Sequence, residues 1–291
     1  MTQHIVLPRL GIDVAWRDSA RACLAKNIRP EQVRWSDDAA DSSLFDAPAC
    51  VPHHTPQQVK VPKAFVALAQ SVVWHKDADR FDRLYAALFR VQATPALMRD
   101  RADPAIAHLR KLEKAVHRCQ HKMKAFVRFR EIGDPEAPRR SFAAWFEPTH
   151  NTVEPTADFF AKRFADMDWR IVTPSVSAIF EGGKLRFARD LPRPELREDA
   201  NEKLWATYFC NIFNPARLKV NAMTSEMPKK YWKNLPEAAS IPQLISDAPA
   251  RARAMAEAAP TLPPLRTARV QRAAAGFDTA WKGPAGSMGA A

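Results

Sequence analysis

The chain has 291 residues, 46% of them hydrophobic, with 44 Lys and Arg against 32 Asp and Glu for a formal net charge of +12. Such a length gives one large domain or two smaller ones, and such an apolar content excludes a chain that is disordered throughout. The positive balance favours a nucleic acid or another anionic surface as partner over an acidic protein, and no apolar run approaches the roughly 18 residues needed to cross a bilayer.

The first ten residues lack a charged segment leading into an apolar one, so no export signal is read there. Cys23, Cys50, Cys119 and Cys210 lie far apart and form no C-x-x-C pair, the pattern of reduced thiols in a cytoplasmic protein. Residues 4–35 predict a small strand-helix-strand unit, with Trp16, Ala20 and Leu24 on the inner side of a helix over 14–26. The polar, Pro-containing residues 36–58 read as a loop or linker. His53 and His54 lie within it, but adjacent histidines in an extended loop face opposite ways and have no Cys or carboxylate at ligand spacing, so no metal is expected. Residues 62–100 predict three helices: one begun by Pro62 and carrying Phe65, Leu68, Ala69, Val72 and Val73, one capped by Asp77 or Asp79, and a short one from Thr94-Pro95.

Residues 103–131 carry the most information. Asp103-Pro104 is a helix start, and Ile106, Leu109, Leu112 and Val116 form a narrow apolar stripe at helical spacing. Arg110, Lys114, His117, Arg118 and His121 share the opposite face. Beyond Lys122 the spacing predicts a strand, with Ala125, Val127 and Phe129 on one side and Lys124, Phe126, Arg128 and Arg130 on the other. From 110 to 130 eight lysines and arginines stand against Glu113 alone. A basic helix face can simply face solvent, but a charge excess that continues onto the next element points to a polyanion.

Farther on, 141–148 predicts a strand paired with 124–131, and a helix follows over 158–164, capped near Thr156. A strand at 167–174 then precedes a hairpin turning at Gly182-Gly183. Residues from 199 return to helix with Leu204, Trp205, Tyr208, Phe209 and Ile212 as the apolar side, and 259–291, rich in Pro, Ala and Gly, read as a flexible tail. The fold class expected is α+β: a central antiparallel or mixed sheet with helices packed on it, plus the small N-terminal unit. The predicted organisation is 1–58, 59–258 and 259–291.

A second basic run, FNPARLKVNAMTSEMPKKYWKNLPEA, begins at Phe213. Arg217, Lys219, Lys229, Lys230 and Lys233 stand there against Glu226, with Tyr231 and Trp232 among the lysines. Lysines neutralise phosphate, and an aromatic face can take a stacked base; the same two rings could equally anchor the segment to the core. Asn214 and Asn221 could contact a base or sugar, or cap a turn. No Walker A, G-x-G-x-x-G, H-E-x-x-H or G-x-S-x-G motif is present, and no cofactor is expected. His121, Glu131, Glu147 and His150 could converge as an acid-base pocket, the weaker catalytic alternative.

HKMKAFVRFRE at 121–131, AWFEPTH at 144–150, FFAKRFADMDWRIVTP at 159–174 and, above all, the 213–238 block resemble a bacterial family grouped with DNA metabolism and repair and built on domain of unknown function 4130. The resemblance runs from about Val59 to Met255. It implies a partner: family members stand beside a radical-SAM protein, or carry a C-terminal uracil-DNA glycosylase-like domain. It carries over no catalytic residue, because the family's activity is inferred from that company. After Ala258 a short tail stands where a fused relative would continue into the glycosylase domain, so excision chemistry belonging to that domain would be missing here. The function expected is a cytoplasmic DNA-binding protein of repair or modification, working with a partner enzyme; an enzyme acting on DNA or a nucleotide through the His/Glu pocket and a protein-binding scaffold are the alternatives.

Overall fold

The computed structural model describes residues 2–37, 60–134, 136–196 and 207–258. The loop expected to 58 from Asp38 onward, His53-His54, the first part of the helix expected from 199 and the 259–291 tail lie outside the described residues.

Strand β1 (Gln3–Val6) pairs in parallel with β2 (Val33–Ser36), joined by helix α1 (Ile12–Ala25). A parallel pair needs a crossover, and α1 supplies it with Trp16, Ala20 and Leu24 buried as the spacing required. Gly11 starts α1 with φ of 66°, a left-handed conformation that favours glycine. The helices α2 (Lys63–Val72), α3 (Arg80–Ala93) and α4 (Pro104–Phe126) follow, with a 3₁₀ turn at Pro95–Arg99 where a third short helix was expected. One hydrophobic core takes in all of these, from Ile5 and Trp35 through Phe65 and Tyr85 to Leu109 and Val116, so the N-terminal unit buries its apolar side against the helices. Arg80 is 2% exposed and ties this core together, giving hydrogen bonds to the Val73 and Asp77 carbonyls and an ion pair to Asp37 at 2.6 Å.

The rest is a five-stranded mixed sheet of β3 (Arg130–Ile132), β4 (Ser141–Trp145), β5 (Asp168–Val172), β6 (Val176–Glu181) and β7 (Lys184–Arg189), in that spatial order. Within it only β4 and β5 run parallel, with helix α5 (Glu154–Arg163) as their crossover. The fold class is therefore α+β, as the pattern predicted. The hairpin at Gly182-Gly183 forms as expected, with φ of 55° and 79°, the two consecutive positive values that a tight hairpin turn demands. A second core joins α4 and α5 to the sheet through Met123, Phe146, Phe160, Trp169, Ile171 and Tyr231.

Two predicted boundaries are corrected. Helix α5 begins at Glu154, four residues before the expected Asp158, because Pro155 takes the first turn and Thr156, expected as its cap, is fully buried inside the helix. The larger correction is α4. It does not change to strand at Lys122 but continues through Phe126, and the paired strand is Arg130–Ile132 alone. Cys119 and Met123 extend the stripe of Val116 at three- and four-residue spacing, at 4% and 0% exposure, so the burial period stays helical.

After the sheet come short pieces: 3₁₀ turns at Pro215–Arg217 and Lys229–Asn234, with a helix at Val220–Glu226 between them. Among the described residues, 213–218 and 242–258 form a compact unit of their own, in which Arg251 lies over the Phe213 ring. Among the described residues no helix is long and apolar enough to cross a membrane.

Candidate functional site

The longer α4 redistributes the basic residues of 110–130. Lys122 turns to the inner flank, is 5% exposed, and gives its ammonium to the Glu226 carboxylate at 2.8 Å and to the Glu226 carbonyl. Hydrogen bonding from Lys122 holds the Glu226 carboxyl below its ordinary range. Lys122 therefore joins the two basic runs and is not open to phosphate. Arg110 spends its guanidinium on the Met98 carbonyl at 2.6 Å. Lys114 and Arg118 remain exposed on α4, and Lys124 lies over the Phe159 ring at 4.9 Å.

Past the helix end the chain delivers two arginines to one place. Arg128 bonds back to the Ala125 carbonyl at 2.7 Å, where the last turn of α4 has an unsatisfied acceptor, and pairs with buried Glu237 at 3.0 Å. Arg130 opens β3 opposite Ala143 of β4 and reaches the Leu196 carbonyl. Trp145 closes β4. Arg193, on the segment after β7, places its guanidinium 5.1 Å above the Trp145 ring. Lys233, in the 3₁₀ turn, pairs with Glu147. Arg128, Arg130, Arg193, Lys233, Trp145 and Asn234 line a cavity of about 200 Å³. Trp145 Nε1 and Asn234 Nδ2 are buried in its wall with no acceptor among the described residues. A wall with four cationic groups, two of them paired with carboxylates, has the donor chemistry of a candidate anion site.

The aromatic pair of the second run divides. Tyr231 is 3% exposed and lies between Phe126 and Phe146 at centroid distances of 5.4 and 5.3 Å. It anchors the segment and offers no open face, which corrects the base-stacking role expected for it. Trp232 is half-buried, donates Nε1–H to the Met227 carbonyl at 2.9 Å, and has Lys229 over its ring. Lys230 bonds Thr149 and lies over Tyr231. Lys219 is exposed ahead of Val220–Glu226, and Arg217 belongs to the other compact unit. The Asn214 side chain accepts from Ala216 N–H at 3.0 Å and so caps its turn, while Asn221 is exposed on a helix.

Three of the four acid-base candidates are taken up by separate partners. Glu131 forms a two-pronged pair with Arg140 at 2.5 and 2.6 Å, and Glu147 goes to Lys233. His121 is exposed on α4, close enough to Glu226 to act on its charge. His150 is buried against His75, with ring centroids 4.1 Å apart, and its Nδ1 accepts from the Lys76 N–H at 3.3 Å. Burial, then His75, Lys76 and Lys230, lowers the His150 pKa to about 4, so its accepting Nδ1 stays unprotonated at neutral pH; burial lowers the His75 pKa as well, and its Nδ1 accepts from the Asp77 N–H.

Sequence reasoning missed Arg193, Trp145 and Asn234 as site residues. Arg193 sits in L-P-R-P, where flanking prolines stiffen the chain and hold the arginine out, a signal present in the sequence. It also missed Glu154, whose carboxyl is pushed up by burial despite the bond from Gly11 N–H, in a cavity of about 170 Å³ with Arg9, Asp37 and Asn151.

Residues 78–237 match the family model described as domain of unknown function DUF4130, which is more than half of the chain. The chain belongs to this family. The DUF4130 region contains all six side chains named for the basic cavity, while β1, α1, β2 and α2 lie ahead of it. No curated protein and no solved structure matches the chain.

Proposed function

We propose that this DUF4130 protein binds DNA through the basic cavity at the β3–β4 edge of the sheet, serving repair or modification beside a partner enzyme that supplies the chemistry. The observation that carries this reading is the convergence of Arg128 and Arg130 from the first basic run with Lys233 from the second, joined by Arg193 from between them. Residues scattered over more than a hundred positions bring cationic donors to one concave place, where low-dielectric walls focus the field on a phosphate. Arg128 is fixed by Glu237 and by the end of α4, and Arg193 by the Trp145 ring, so these two guanidinium groups are held before a ligand arrives.

The test is fluorescence anisotropy with labelled single-stranded and duplex DNA at two salt concentrations, using wild type and an Arg193→Ala/Lys233→Ala variant. Both side chains are exposed, so the variant keeps the core. Affinity should fall by roughly tenfold per cation, the worth of one charge-assisted hydrogen bond, and the salt slope should become shallower by about 1 for each phosphate no longer neutralised. Absence of binding at low salt, or identical binding by both proteins, would overturn the reading.

A further inference from the structure

We infer that the cavity is a site for a phosphomonoester, the phosphorylated end of a nucleic-acid strand, in preference to the phosphodiesters along it. This rests on the DNA-binding reading and narrows its ligand.

Three observations converge. The first is shape: a concave space of about 200 Å³ has the size of a phosphorylated sugar and cannot embrace a duplex. A strand end enters such a half-open space with one neighbouring nucleotide to place outside it, whereas an internal phosphate must place two. The second is charge. Arg128, Arg130, Arg193 and Lys233 bring four cationic groups from separate segments to the wall of one small space, against two carboxylates, Glu237 on Arg128 and Glu147 on Lys233, so positive charge is in excess there. Such a concentration of cations matches a monoester, which carries about −1.5 to −2 at pH 7, better than a diester with a single charge. The third is hydrogen-bonding character. A fully ionised phosphate offers acceptors alone, and the wall presents guanidinium and ammonium donors from four side chains.

The experiment competes a labelled single-stranded oligonucleotide with four unlabelled ligands: the same sequence bearing a 5′-phosphate, a 3′-phosphate or no terminal phosphate, and a free deoxynucleoside monophosphate. The full chain is used, with the exposed Arg193→Ala variant beside it. One phosphorylated end should compete at least roughly tenfold better than the hydroxyl-ended strand, the worth of one added charge-assisted contact. That advantage should shrink as pH falls below about 6, where the monoester takes up its second proton, while competition by the hydroxyl-ended strand changes less. Arg193→Ala should weaken the phosphorylated strand more than the hydroxyl-ended one, so that the advantage narrows in the variant. Equal competition by all three strands would overturn the end-recognition inference and leave DNA binding standing. A free monophosphate matching the phosphorylated strand would overturn the strand as the source and keep the phosphomonoester chemistry. No binding of the labelled strand at low salt would remove the DNA-binding reading itself.

Discussion

The exposed face of α4 and the cavity beside β3 are built from the same stretch of sequence, yet they present charge in opposite ways. Lys114, Arg118 and His121 stand about one turn apart on a helix, each turned toward water on an open surface. Arg128 and Arg130 lie only a few residues later but are met by Arg193 and Lys233 around a concave space. A count of basic residues along the chain scores the two regions alike. The difference shows that charge density in sequence is a weak guide to an anion site, and that convergence from separate elements with partly desolvated walls is the stronger one.

The comparison breaks most severely if the support beneath the cavity is removed. Tyr231→Ala deletes a ring packed between Phe126 and Phe146 and should cost about 3–5 kcal/mol in urea unfolding, releasing the Lys229–Asn234 turn with its Lys233. A small effect there would mean that the turn is held by other packing. Next in size is the loss of DNA affinity in Arg193→Ala/Lys233→Ala.

Acid should act at an intermediate level, through a group remote from the charge question. The His150 pKa lies at about 4 in the fold against an ordinary 6.5, so the folded state favours neutral imidazole. The unfolded chain then binds more protons between those values, and stability present above pH 6.5 should be lost as pH falls toward 4, on the order of 1–2 kcal/mol. His75, also lowered chiefly by burial, adds in the same direction. Denaturation midpoints from pH 7 to 4 should fall less in His150→Gln than in wild type, and parallel curves would place the acid sensitivity elsewhere. Smallest of all should be Lys114→Ala/Arg118→Ala. If the helix face is merely solvated, this pair should change DNA affinity by less than about threefold, in keeping with the small worth of exposed charges. A loss equal to that of the cavity variant would extend the interface along α4.

Much of the fold was legible because local pattern and burial agree. Trp16, Ala20 and Leu24 gave α1, Gly182-Gly183 gave the hairpin, and Asp103-Pro104 gave the start of α4 with Asp103 accepting from Ile106 N–H at 3.0 Å. The end of α4 was not legible. Over Lys124–Arg130 a charged residue falls at every second position apart from Phe126, which imitates a strand, and the fact that decides otherwise is Met123 buried in a core completed by Tyr231, more than a hundred residues away. Of the site, Arg128, Arg130 and Lys233 could be read from the runs they belong to. Arg193 and Trp145 could not be found by counting charge in a window, because each contributes alone from its own segment. Lys122 and Tyr231 looked like interface residues for the same reason that makes them structural: they sit where the two runs meet.

The 23 residues of α4 form a rod about 35 Å long whose first half is buried in one core and whose last turns are buried in the other. A helix shared in this way couples the two cores during unfolding. Loosening the helical core would expose the stripe at Leu109 and Val116 and withdraw the Met123 end from the sheet at the same time. The sheet edge that carries the arginines thus draws its rigidity from packing at the far end of the longest helix among the described residues, and substitutions around Ile106 would reach the proposed anion site without touching it.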